Sequence, residues 1–163
     1  MTGKGSLNHN SRKFHAKNTD PNRTHWNVEY CNEDIKDVYH ELFDDALKRY
    51  NDKQTRKDRK IDDYYEKIRS GKQEKLFHEV ILQIGDKDNM GSETMEGQLA
   101  AKILDEYMKG FQERNPTLRV FAAHLHLDEA TPHLHIDFIP YVTGSKRGLD
   151  TRVSLKQALS SLG

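Results

Sequence analysis

Five polar or turn-forming residues, Asp128-Glu129-Ala130-Thr131-Pro132, separate two segments that both read as β-strands, residues 118–127 and 133–142. A parallel crossover needs about a dozen residues or more, so a connection this short implies an antiparallel hairpin. Side chains then sort by the period of two. Leu125, Leu127, Leu134, Ile136 and Phe138 fall on one face, which needs a cover of helices. His126, His133 and His135 fall on the other, and Glu129 in the turn can fold over them. Asp137 and His124 share that face and are expected to flank the cluster rather than join it.

The rest of the chain supplies the cover. Ile35, Val38, Tyr39, Leu42, Phe43, Ala46, Leu47 and Tyr50 keep the helical i, i+3, i+4, i+7 spacing. A second helix is predicted through Ile61, Tyr64, Tyr65 and Ile68, ending near Gly71. A third, with Ser92 as its expected cap, carries Met95, Leu99, Ile103, Leu104, Tyr107, Met108 and Phe111 until Asn115-Pro116 stops it. Alternation over residues 76–84 predicts a further strand, and Ser154 opens a last short helix. Residues 1–32 show no helical period and read as an arm or loop with room for one short strand. The expected class is α+β, an antiparallel sheet with helices on one face and a metal site on the other, built as one domain over residues 1–163.

Composition limits the functional classes. The apolar share is roughly 36% when glycine is counted and tyrosine is not, against about 45–50% in an average domain. No window approaches the about 18–20 apolar residues of a membrane span and no signal peptide opens the chain, so a cytoplasmic protein is expected. A lone Cys31 rules out an internal disulfide framework and a thiolate-rich metal site. The net charge of zero conceals segregation: residues 1–27 and 53–60 each carry +4 and residues 144–156 carry +3, leaving −11 elsewhere. Basic segments in Gly-, Asn- and Ser-rich or loop-like stretches favour an anionic partner such as a nucleic-acid backbone.

Three imidazoles converging from one hairpin point to a metal, because neutral histidine is its commonest ligand. The nitrogen and oxygen donors suit Mn²⁺, Mg²⁺, Zn²⁺ or Ni²⁺, and the lack of thiolates argues against a closed structural zinc site.

The run His126-Leu-Asp-Glu-Ala-Thr-Pro-His-Leu-His135, followed by Phe138-Ile139-Pro140, resembles the metal-binding motif of the MobV (Mob/Pre) plasmid mobilisation relaxases, a branch of the HUH endonucleases. His9-Asn10-Ser11-Arg12, with Asn18, Asp20, Arg23 and Asn27 behind it, resembles that family's other signature. The resemblance implies a metal-dependent, site- and strand-specific DNA endonuclease (transesterase) that nicks one strand at an origin of transfer. The enzyme would keep the 5′-phosphate covalently attached and later rejoin the strand. It implies His9 as the attacking residue, His126, His133, His135 and Glu129 as the metal set, and single-stranded or hairpin origin DNA as the partner. Asn10, Arg12, Asn18, Arg23, Asn27 and Tyr30 would contact DNA near the nick, with electrostatic help from Lys146, Arg147, Arg152 and the 53–60 stretch. Only eight residues precede His9, so a shortened or missing first strand is expected. The chain is expected to be a fragment whose continuation would carry further DNA contacts and a dimer contact.

Other readings stand beside this one. Tyr30 would be the nucleophile of a tyrosine-using replication initiator of the same superfamily, and His25 is a further rival to His9. A metal-stabilised DNA-binding module without nicking is the alternative from a different class.

Overall fold

The computed structural model describes residues 6–86 and 88–163; Lys4, counted in the basic N-terminal balance, lies outside them. In chain order the elements are α1 (Leu7–Asn10), β1 (Val28–Asn32), α2 (Ile35–Asp52), α3 (Tyr64–Ser70), β2 (His78–Gln83), α4 (Met95–Lys109), α5 (Phe111–Arg114), β3 (Leu118–His126), β4 (His133–Val142), β5 (Arg152–Val153) and α6 (Leu155–Ser160). The strands form an antiparallel sheet in the order β1-β3-β4-β2, with β5 paired to the end of β4. The α+β class read from the sequence is therefore the one observed.

Helix starts follow from side-chain caps. Asp34 accepts from the amides of Lys36 and Asp37 at the start of α2, and Asp63 from Glu66 at the start of α3. The cap of α4 is Thr94, whose hydroxyl accepts from Gly97 at 3.0 Å, not Ser92 as expected. Ser92 is buried and its hydroxyl reaches the carbonyl of Glu129, so it ties the hairpin turn to the helix entry.

The predicted apolar face of the hairpin is covered as expected. Leu125, Leu134, Ile136 and Phe138 pack against Leu104 and Met108 of α4, Phe111 of α5 and Ala158 of α6. The other face is divided. Its turn end carries the histidines, while its far end holds a second core of Val38, Tyr39, Phe43 and Ala46 from α2 and Tyr64 from α3 against Phe121, Ala122 and Ile139. A bulge makes this possible: Val120 opposes Phe138 and Ala122 opposes Asp137, leaving Phe121 as the extra residue, and it joins the second core. Helices thus flank both sides of the sheet.

The N-terminal arm is more regular than its sequence suggests. A single helical turn, α1, carries His9, and a 3₁₀ turn at Thr24–Trp26 precedes β1. Among the described residues no strand comes before His9. Four residues hold too little periodicity to reveal a helix, and tertiary contacts through Asn10 fix this one.

Candidate metal centre and nucleophile

Register places the three histidines together. His124 pairs with His135 and His126 with His133, so His126 lies across the hairpin from both strand histidines. Ligand-capable atoms of His126, His133 and His135 lie within 4.8 Å of one another, and those of His9, His126 and Glu129 do likewise.

Each of the three rings has one nitrogen oriented by a group that can only accept. Nε2 of His126 donates to the carbonyl of Asn10 at 2.8 Å. Nδ1 of His133 donates to the carbonyl of Thr131 at 2.9 Å, and Nδ1 of His135 to a carboxylate oxygen of Glu79 at 2.7 Å. These acceptors fix the tautomers, so the lone pairs sit on Nδ1 of His126 and Nε2 of His133 and His135. Nδ1 of His126 and Nε2 of His135 are buried without a hydrogen-bond partner, and Nε2 of His133 faces Glu129 at 3.4 Å. Buried acceptors of this kind are costly unless something positive meets them. The donor set therefore fits a divalent cation. Burial, with the Arg12 charge and the neighbouring imidazoles, holds the His126 pKa down to about 3, which keeps it unprotonated as a ligand must be.

Glu129 closes the site. Its carboxylate accepts from Arg12 at 2.7 Å and Asn18 at 2.9 Å, and one oxygen lies 3.4 Å from Nε2 of His9. Burial alone would raise its pKa, but the hydrogen bonds it accepts and the Arg12 charge beside it outweigh that and hold the carboxyl well below the usual range.

His9 stands over this group, its ring centroid 6.0 Å from that of His126 and 6.4 Å from that of His135. An Nη1 of Arg12 lies 3.2 Å from Nε2 of His9, and a guanidinium can only donate, so at that contact Nε2 presents its lone pair. Partial burial, then the Arg12 charge, lowers the His9 pKa below its ordinary value. Phe14, half-exposed, is 5.9 Å from the His9 ring and is an aromatic neighbour that sequence reasoning missed.

The other residues of the N-terminal signature turn inward. Asn10 is buried, its amide donating to Glu79 at 2.7 Å and to Asp137 at 3.2 Å. Arg12 adopts a left-handed backbone (φ 52°), a cost of about 1–2 kcal/mol, and clasps the buried Asp128 through Nε at 2.9 Å and Nη2 at 2.5 Å. Asn27 accepts from the amides of Leu127 and Asp128, while Arg23 bonds Asp20 and the carbonyl of Leu127. These side chains brace the hairpin turn. Tyr30, the extra residue of a bulge in β1, packs on the opposite face and donates to Asp105 of α4 at 2.7 Å. Burial and that carboxylate raise its phenol pKa, so it neither faces the histidines nor ionises readily. His25 stacks edge-on to the exposed Trp26. Lys146, Arg147 and Arg152 are not gathered here: β5 pairs Arg152 with Val142, at the opposite end of β4.

Glu79 and Asp128 contact the site residues and were not singled out by sequence reasoning. Glu79 pairs in register with Asp137, and each receives a bond from the Asn10 amide. Burial and the Glu79 charge push Asp137 up to about 7. Glu79 itself is buried too, but its bonds from His135 and Asn10 hold its pKa down, so it stays ionised beneath His135.

The sequence matches the Mob/Pre family, described as plasmid recombination enzyme, over residues 4–162. The chain belongs to that family. A plasmid recombination enzyme of Streptococcus agalactiae is 24% identical over 165 residues, which span 97% of this chain and 30% of that relative's length. The relaxase domain of MobM (MOBV; Mob_Pre), solved with manganese and a 22-nucleotide oriT DNA of plasmid pMV158, is similar in fold. That match has 28% identity and a TM-score of 0.54, covering 93% of this chain and 67% of the MobM domain. The family assignment and the α+β relaxase fold thus agree with the resemblance carried by the two motifs. Among the described residues no helix is long and apolar enough to cross a membrane.

Proposed function

We propose that this Mob/Pre chain is the nicking domain of a plasmid relaxase, cutting one DNA strand at an origin of transfer by transesterification to His9. The observation that carries the reading is the position of Nε2 of His9, 3.4 Å from Glu129 and edge-on to two of the histidines with orphaned ring nitrogens.

His126, His133, His135 and Glu129 would hold the metal, Mn²⁺ first, given the manganese-bound MobM domain. When bound, the ion supplies positive charge against the non-bridging oxygens of the scissile phosphate. The protein's own part is nucleophilic. Nε2 of His9 shares its lone pair with phosphorus, the bond from phosphorus to the 3′-oxygen breaks, and that oxygen leaves as a 3′-hydroxyl after taking a proton. The imidazole gives up its Nδ1 proton, so a neutral phosphoramidate nitrogen links His9 to the 5′-phosphate. Attack by a 3′-hydroxyl reverses each step and rejoins the strand. Lowering the His9 pKa serves this chemistry by keeping the ring neutral without a dedicated base. Arg12 positions Glu129 and the His9 turn together, and Glu79 orients His135 while anchoring Asn10.

The test is incubation with Mn²⁺ and end-labelled single-stranded oligonucleotides spanning candidate origins, followed by denaturing gels and peptide mass analysis. A DNA adduct on His9 is expected, reduced at least about a thousandfold by His9→Ala and abolished by chelator. An adduct on Tyr30 would overturn the nucleophile, and metal and DNA binding with no adduct would favour the binding module.

A further inference from the structure

The arginines divide into two groups. Arg12, Arg23, Arg49, Arg56, Arg69 and Arg119 each make an ion pair with a carboxylate, and Arg114 lies over the Tyr107 ring. Three have neither a carboxylate nor an aromatic partner among the described residues: Arg59, Arg147 and Arg152. All three line one groove of about 640 Å³, together with Lys60 and Lys67. Its acid, Asp58, is already bonded by Arg56 at 2.7 Å.

The groove is built rather than incidental. One wall is the connection between α2 and α3 with the first turns of α3; the other is the 144–152 loop. Gly144 and Gly148 take left-handed φ values of 71° and 68°, which let the loop double back. The amide of Ser145 bonds the carbonyl of Asp150, Leu149 is buried in the second core, and Asp150 pairs with Arg49 of α2 at 2.8 Å. Arg147 is left exposed on this anchored loop, and Arg152 is held by Ser145 and Gln157, both uncharged. Concentrating unneutralised cations in one cleft raises the local potential for an anionic polymer.

We infer that this groove is a second DNA-backbone site, separate from the metal centre. It rests on the relaxase reading for its ligand class. The strand β4 sets the spacing: His133 begins it and Val142, paired with Arg152, ends it. Nine steps at ~3.3 Å put the two sites ~30 Å apart, about nine base pairs of duplex at 3.4 Å each. The groove would grip DNA roughly one helical turn away from the cut, adding affinity without reading bases.

Fluorescence anisotropy of labelled mixed-sequence 30-mers, duplex and single-stranded, over stepped KCl concentrations tests this. Wild-type protein is compared with a groove variant (R59Q/K67Q/R147Q) and an off-groove variant losing the same charge from α4 and α6 (K102Q/K109Q/K156Q). The groove variant is expected to bind about tenfold or more weakly at low salt and to lose about 2–3 from the slope of log K against log salt, near one per phosphate contact. The off-groove variant should stay within about twofold. Equal losses in both variants, an unchanged groove variant, or no wild-type binding at low salt would each overturn the inference. The larger slope change on duplex or on single strand identifies which form sits in the groove. Adduct formation on His9 is read separately: its absence with groove-dependent binding intact would remove the enzyme reading alone.

Discussion

At the hairpin end of β4, Arg12 is almost buried and its guanidinium is wholly occupied by Asp128, Glu129 and His9; at the far end, Arg59, Arg147 and Arg152 border a groove whose lining acid, Asp58, is already bonded by Arg56. The sequence pattern treats Arg12, Arg23, Arg147 and Arg152 alike, as cations for phosphate. Burial separates them. A guanidinium removed from water must have fixed acceptors, and once it has them it positions its partners. One left in water keeps its charge available to a passing polyanion.

The sharpest way to break this contrast is to delete one arginine from each end. Arg12→Ala would leave the fully buried Asp128 without its ion partner and release the α1 turn that carries His9, whose carbonyl Arg12 holds. Removing one member of a buried pair costs about 3–5 kcal/mol. Arg147→Ala removes an exposed side chain and should change stability by no more than about 0.5 kcal/mol. Urea unfolding of the two variants decides the matter; equal midpoints would mean that Arg12 does not brace the hairpin turn.

A smaller effect is expected beneath the candidate metal centre. Glu79→Gln keeps the shape of the side chain but replaces the ionised acceptor of His135 with a neutral amide. Loss of such an orienting carboxylate weakens metal binding about 10–100-fold. Calorimetric titration with Mn²⁺ measures it, and an affinity equal to wild type would show that His135 is held by its strand alone.

How much of this was legible beforehand depended on sequence distance. The hairpin, its apolar and histidine faces, and the long helices were readable because period and turn length are local. Pairing of β2 against β4 is not local, so the partnership of Glu79 with His135 had no sequence signature beyond a carboxylate in an apolar alternation. The second core was hidden for a similar reason, since it depends on the bulge that turns Phe121 toward α2 and α3. Arg12, Asn10 and Asn27 were visible as a motif, but only the folded turn assigns them to protein groups.

His78 sharpens the comparison from the opposite side of the sheet, where an imidazole is buried with no evident task. It is only 4% exposed, its ring lies over Phe138, and neither ring nitrogen has a hydrogen-bond partner. The orphaned nitrogens of His126 and His135 belong to a donor set that fits a divalent cation, whereas His78 belongs to none among the described residues; an unsatisfied buried polar group costs about 1–3 kcal/mol. His78→Leu is therefore expected to stabilise the protein by about 1 kcal/mol near neutral pH. Burial, with the Lys75 charge, lowers the folded pKa of His78 below 6.5. As pH falls through that ordinary value the unfolded chain takes up a proton that the native state refuses, so the wild type loses stability toward the folded pKa. The leucine variant has no such proton to take up. Other buried histidines, His124 and His126 among them, contribute the same slope to both proteins and cancel in the difference. Unfolding measured at pH 7.5 and 5.5 should thus show the gap between variant and wild type widening in acid; a gap that stays constant or narrows would mean that His78 is solvated or protonated in the native state.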